Sequence, residues 1–115
     1  MTIRDTNITI NVKDINKSIQ FYENIGFTLK NRWSNHYAQL TAPGIVIGLH
    51  PTDEANISGN SGNVSIGFTT DDLEEVKSSL NNLSIIINER EEEGGRFLHF
   101  NDPDGTSLYF IIPKW

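Results

Sequence analysis

A pattern that occurs twice constrains this chain more than any single motif in it. In the first half Ile8, Ile10 and Val12 alternate with Thr9 and Asn11, as in a half-buried strand. Asp14 follows where a helix N-cap belongs, Ile15, Ile19 and Tyr22 recur at helical spacing, and Gly26 can close the helix. Strand-like segments come next at 27–33, 36–41 and 45–50, separated by Ser34-Asn35 and Ala42-Pro43-Gly44. After a polar stretch over 51–62 the order restarts. Val64, Ile66 and Phe68 alternate with small polar residues, and Asp71-Asp72 caps a second helix, with Glu74 at capping-box spacing from Asp71. Leu73, Val76, Leu80 and Leu83 form its apolar stripe, and strand segments follow at 85–88, 96–100 and 106–112. Each half therefore reads β-α-β-β-β, with Asp14-Ile15 matched by Asp72-Leu73 and Ile8/Ile10 by Ile66/Phe68. A unit of about 55 residues is too long for a solenoid of small repeats. The expectation is a duplicated half-domain: module one over about 5–50, a linker over 51–62 and module two over 63–115, together one α+β domain over 1–115.

Composition narrows the function classes. At 115 residues the chain can bury a core, and 37 % hydrophobic with 21 % charged residues is the balance of a globular protein. No apolar run approaches the ~18 residues of a membrane span, and Met1-Thr2-Ile3-Arg4-Asp5 lacks the apolar core of a secretory signal. The absence of cysteine excludes disulfides, thiolate metal sites and a cysteine nucleophile, and fits a cytoplasmic protein. A net charge of −6 argues against nucleic acid and anionic membranes as partners, and favours approach of a cationic small molecule. No phosphate-binding glycine loop, nucleophile triad or basic patch is present.

The most distinctive local sequence is Asn101-Asp102-Pro103-Asp104-Gly105, a tight turn between two strands. Pro103 presets φ, Asp104 tolerates the turn region and Gly105 supplies a positive φ. Together with Val12-Lys13-Asp14-Ile15-Asn16-Lys17-Ser18-Ile19-Gln20-Phe21-Tyr22-Glu23-Asn24-Ile25-Gly26-Phe27 and Phe68-Thr69-Thr70-Asp71-Asp72-Leu73, it resembles the vicinal-oxygen-chelate superfamily. That group includes glyoxalase I, extradiol dioxygenases, and fosfomycin- and bleomycin-resistance proteins. The three motifs occur in order and cover almost the whole chain. The resemblance implies paired βαβββ modules whose curled mixed sheets form a concave ligand cup, in many members across a homodimer.

The resemblance also implies where a metal would sit. Metal-dependent members place ligands on the opening strand of each module, seven residues before the capping aspartate, and four residues after the turn glycine. Here those positions hold Asn7, Gly48, Ser65 and Tyr109. Divalent transition ions require imidazole or carboxylate donors, and an amide, a hydroxyl, a neutral phenol and a bare glycine do not supply them. The expectation is no metal cofactor, which removes the isomerisation and dioxygenation mechanisms that polarise vicinal oxygens on a metal. Asn11 stands where glyoxalase I carries a glutathione-gripping arginine. His50 and His99 face the cup by alternation, without a carboxylate of matching parity beside them.

By the same alternation the cup carries Asn7, Thr9, Asn11, Tyr37, Gln39, Val46, His50, Ser65, Gly67, Thr69, Phe97, His99, Ser107 and Tyr109, with Gly48 and Gly67 leaving space. Trp33 lies at a strand end where a pocket rim belongs, Trp115 is a second candidate stacking or interface residue, and Glu91-Glu92-Glu93 with Gly94-Gly95 reads as a solvated hairpin loop. Ring planes and neutral hydrogen-bonding groups suit a small organic ligand, aromatic or cationic. Candidate ligand contacts are Asn7, Trp33, Tyr37, Gln39, His50, Phe97, His99 and Tyr109. The leading expectation is a metal-independent, drug-sequestering binding protein, homodimeric, resembling the bleomycin-resistance proteins. The alternative is a lyase, isomerase or dioxygenase-related enzyme, with His99 as the candidate acid–base group beside Tyr109. A third class is a regulatory or structural protein whose cup is filled by its own side chains.

Overall fold

The computed structural model describes residues 1–52, 64–92 and 94–113. Its contacts divide the chain into two compact units, Met1–Ser58 and Gly59–Trp115. Most of the expected linker, and Glu93 and Trp115, lie outside the described residues.

In the first unit β1 (Ile8–Val12) leads into α1 (Ile15–Asn24), followed by β2 (Thr28–Trp33), β3 (Tyr37–Ala42) and β4 (Ile45–Pro51). The sheet order is β1-β4-β3-β2, with β1 parallel to β4 and the other pairs antiparallel. α1 begins where Asp14, in an extended conformation, accepts hydrogen bonds from the N–H groups of Asn16 (3.0 Å) and Lys17 (3.2 Å). Such a cap is worth about 1 kcal/mol. The helix closes at Ile25 and Gly26, where Gly26 at φ 118° lets the Phe27 N–H reach back to the Tyr22 carbonyl (2.9 Å). α1 packs on β2, β3 and β4. The buried residues include Ile10 and Val12 of β1, Ala38 and Leu40 of β3, Ile47 and Leu49 of β4, Ile15, Ser18, Ile19 and Tyr22 of α1, and Phe27. The Tyr22 ring meets Phe27 edge-on at 5.4 Å.

The second unit repeats the plan: β5 (Ser65–Thr69), α2 (Leu73–Asn82), β6 (Asn88–Glu92), β7 (Gly95–Asn101) and β8 (Ser107–Pro113). The sheet order β5-β8-β7-β6, with β5 parallel to β8, mirrors the first. Leu73, Val76 and Leu80 of α2 are buried, as are Ile66, Leu98, Phe100 and Leu108 of the sheet. The cap is Asp72 rather than Asp71: its carboxylate accepts the Glu75 N–H (3.0 Å), while Thr70 Oγ1 accepts the Asp72 N–H (3.2 Å).

Two expectations for this unit need correction. Leu83 is the C-cap of α2 and 40 % exposed, not part of the buried stripe. The strand expected over 85–88 instead runs Asn88–Glu92. After Leu83 the chain closes the helix through Ser84, at φ 60°, with the Ile85 N–H bonded to the Leu80 carbonyl (3.0 Å). That closure uses Ile85 and leaves Ile86 91 % exposed. Glu91 and Glu92 therefore belong to a ladder, paired with Arg96 and Gly95, and not to a loop. The β7–β8 hairpin has Gly105 at φ 88°, and buried Asp102 pins it by accepting the N–H groups of Asp104 (2.9 Å) and Thr106 (2.8 Å) through Oδ1.

Each unit thus has a helix-covered face and an open face. Strand alternation sends most core residues to the first and the sequence-derived candidates to the second; buried Ile111, paired with Phe97 and Thr69, shares the candidates' face.

Candidate functional site

On the open face of the first unit, ladder register puts Thr9, Gly48, Gln39 and Asn31 in one row and His50 beside Asn11. Trp33 pairs with Tyr37 across β2 and β3, their rings 5.5 Å apart. The Tyr37 ring lies over Gly48, so that a Cβ there would run into its hydroxyl and ring carbons. The same hydroxyl accepts a hydrogen bond from Asn7 Nδ2 (3.1 Å). Asn7, Trp33, Tyr37 and Gly48 therefore form one cluster, with Gln39 flanking it in register and His50 exposed on the neighbouring row. An open groove of about 340 Å³ runs beside the start of β1, lined by Thr6, Asn7, Ile8, Gly44, Ile45 and Val46. Of the candidate residues Asn7 alone borders it, so it adjoins the ring cluster without being lined by the rings.

On the open face of the second unit, Gly67, Tyr109, His99 and Asn88 form one row, and Ser65, Ser107 and Asn101 another. Phe97, His99 and Tyr109 make a triangle of rings. Phe97 and His99 are near-parallel at 5.8 Å, Phe97 and Tyr109 lie 5.7 Å apart, and His99 and Tyr109 5.5 Å. Tyr109 leans across Gly67, where a Cβ would strike the phenol ring. Ser65 and Ser107 share a hydrogen bond between hydroxyls (2.7 Å). Gly48 and Gly67 thus do not leave open space, as expected from their size; each makes room for a tyrosine of its own sheet.

The donor set does not fit the metal that the fold family implies. Position 48 has no side chain and is roofed by Tyr37, Asn7 is engaged by the Tyr37 hydroxyl, Ser65 by Ser107, and Tyr109 lies across Gly67. Among the described residues no three histidine or carboxylate groups converge.

The helix-covered side of the second unit carries the shifted titrations. Glu89 accepts from Lys77 Nζ (2.9 Å) and Arg96 Nη2 (2.8 Å), and Arg96 also donates to Glu74 (3.1 Å). Hydrogen bonds from Lys77 and then Arg96 hold the Glu89 carboxyl below its ordinary range, and the same bonds raise Lys77 and Arg96. These groups are exposed and tie α2 to β6 and β7; they do not face the rings.

Sequence reasoning missed three residues of interest. Asp102 stands in the quoted turn motif without a role, although an aspartate two residues before a turn N–H is an Asx-turn signal. Asn88 and Arg90 were missed because the strand that carries them was placed several residues early; alternation applied to the true β6 puts both on the open face, opposite His99 and Phe97.

The model of the glyoxalase/bleomycin resistance protein/dioxygenase superfamily matches residues 6–110. The fosfomycin resistance protein FosX from Listeria monocytogenes, solved also with Mn(II) and sulfate, superposes with a TM-score of 0.82 at 23 % identity over 99 % of this chain and 96 % of its own. A bleomycin-binding protein solved with bleomycin gives 0.70 at 21 % identity, over 97 % of this chain and all of its own. An uncharacterized protein of Mycolicibacterium smegmatis is 26 % identical over 108 residues, 92 % of this chain and 90 % of that one. Among the described residues no helix is long and apolar enough to cross a membrane.

Proposed function

Given that the chain belongs to the glyoxalase/bleomycin resistance protein/dioxygenase superfamily, we propose that it is a metal-independent binding protein for a small organic ligand, acting by sequestration as the bleomycin-resistance proteins do. The observation that carries this reading is the content of the four metal-ligand positions. They hold Asn7, Gly48, Ser65 and Tyr109, and their hydrogen bonds and ring contacts run to neighbours within the protein. What the open faces offer instead is Trp33, Tyr37, Phe97, His99 and Tyr109 as ring surfaces, with Asn7, Gln39 and His50 as hydrogen-bonding groups. A homodimer in the cytoplasm is part of the same proposal, and light scattering at micromolar concentration checks the dimer.

The test is calorimetric titration of EDTA-treated protein with bleomycin and with planar aromatic compounds, beside thermal melts with added manganese, zinc or nickel. Ligand binding in EDTA with no metal-induced shift in Tm supports the reading. A stoichiometric ion in the purified protein, or binding that appears only with metal, overturns it.

The contact between His99 and Tyr109 favours one second reading, a metal-free lyase or isomerase in which the imidazole moves a proton. There, His99→Gln abolishes turnover of whatever substrate is found while ligand binding persists; unchanged turnover removes the role.

A further inference from the structure

Ladder register makes each ring of one open face equivalent to a residue of the other. Gln39 pairs with Gly48 as His99 pairs with Tyr109, and two residues earlier Tyr37 corresponds to Phe97. Across the edge strand Tyr37 faces Trp33, whereas Phe97 faces Arg90. The place that an indole fills in the first unit holds a guanidinium in the second.

That arginine differs from the other strand arginines. Arg32 is committed to Asn16, Asn35 and the Ser34 carbonyl, and Arg96 to Glu74 and Glu89. Both belong to the helix-covered side. Arg90 lies on the open side, exposed, and among the described residues no hydrogen bond, ion pair or ring contact engages it. Directly opposed residues of an antiparallel pair hold their Cβ atoms about 5 Å apart. From that register the Arg90 side chain is long enough to reach a ligand lying on the Phe97, His99 and Tyr109 triangle. Among the described residues of β6, β7 and β8 one carboxylate shares the face, Glu92, two residues on and opposite Gly95.

From this juxtaposition we infer that the open face of the second unit takes an aromatic ligand bearing an acidic group, its ring against Phe97, His99 and Tyr109 and its anion on Arg90. The inference rests on the binding reading above and sharpens it. The net charge of −6 describes the whole surface and favours cations at long range. Short-range selection is set by the group that touches the ligand, and an unpaired guanidinium selects a planar carboxylate through two parallel N–H···O bonds. Neutral neighbours (Asn88, Ser65, Ser107) leave that preference uncancelled apart from Glu92.

Three matched probes test it in EDTA: 2-naphthoate, 2-naphthamide and 2-naphthylmethylamine, titrated by calorimetry and mapped by backbone amide shifts. The expected result is naphthoate binding about tenfold or more tighter than the amide, as a charge-assisted pair gives, with shifts on β6–β8. Arg90→Gln erases that gap with Tm unchanged, since the side chain is exposed, and Glu92→Gln widens it severalfold. Added salt narrows it. Equal affinity for all three probes, or an Arg90→Gln protein that keeps the preference, overturns the anion assignment and leaves the binding reading standing. Bleomycin binding without any probe binding does the same. Failure of every compound in the absence of metal overturns both.

Discussion

α1 and α2 run the same length behind the same aspartate cap, yet they are fastened differently. Counting from the caps, Ser18 corresponds to Val76, Ile19 to Lys77, Tyr22 to Leu80 and Gly26 to Ser84. In α1 Ile19 is buried and Tyr22 is completely enclosed, with Phe27 closing over its edge. In α2 Lys77 leaves the apolar stripe and joins Glu89, Arg96 and Glu74 in an exposed ion network. One unit secures its helix mainly by aromatic burial. The other uses a slimmer apolar stripe and adds charges at the rim. Identical topology therefore does not require identical energetics; the cap and the strand alternation set the frame, and the fastening can be exchanged within it.

The most damaging test of that contrast is truncation under the helices. Tyr22→Ala is expected to destabilise by about 3–5 kcal/mol, as loss of a fully buried aromatic does, and Leu80→Ala by about 2–4 kcal/mol. Urea unfolding measures both. An equal or larger loss at Leu80 breaks the claim that the first helix depends more on its aromatic. The glycine clefts come next. Gly67→Ala is expected to cost about 1–3 kcal/mol through overpacking, because Tyr109 is flanked by His99 and Phe97. Gly48→Ala is expected to cost less, since Tyr37 has Trp33 on one side and can swing away at the loss of the Asn7 hydrogen bond. Adding Tyr109→Ser to Gly67→Ala should recover part of the loss; strict additivity in the double-mutant cycle argues against the clash.

The helix ends give a smaller effect of opposite sign. Both close with the same three backward hydrogen bonds, but Gly26 adopts its positive φ freely and Ser84 does not. Ser84→Gly is expected to stabilise by roughly 0.5–1 kcal/mol, the strain of about 1–2 kcal/mol less the added freedom of the unfolded chain. A destabilised Ser84→Gly protein would mean that the serine side chain contributes more than its backbone costs.

Smallest is the acid response of the ion network. The Glu89 carboxyl titrates lower in the folded chain than in the unfolded one, because Lys77 and Arg96 donate to it. Its contribution is therefore present above the unfolded value, about pH 4.3, and is lost as pH falls through the folded one. The raised Lys77 and Arg96 act oppositely, contributing below their unfolded values and losing that contribution only in strong base. Glu89→Gln should flatten the acid limb of urea midpoints at low salt, and added salt should shrink the difference. An unchanged acid limb removes the network from the account of α2.

Much of this was legible in the sequence because the repeat is written in apolar alternation and capping aspartates, signals that act locally. The Asn7, Trp33, Tyr37 group and the Phe97, His99, Tyr109 group both follow from parity along strands. β6 was not legible: Asn88–Glu92 is exposed at every position and has no alternation of its own. Its place is dictated by β7, while the apolar run Ile85-Ile86-Ile87 imitates a strand that the helix closure pre-empts. The tyrosines over Gly48 and Gly67 were also hidden. Parity tells which face a ring takes, and says nothing about which neighbouring cleft it leans into.

The roofed glycine at position 48 makes the chain hard to convert. Installing an imidazole or carboxylate there first evicts the Tyr37 ring, so the replacement alone is penalised before any cation can reward it. Removing Tyr37 first strips the Asn7 amide of its hydroxyl partner. Either order descends before it climbs. An engineer seeking a chelating variant therefore has to change both positions in one step and supply further donors at positions such as 7, 65 and 109, and a library of single substitutions will not find it.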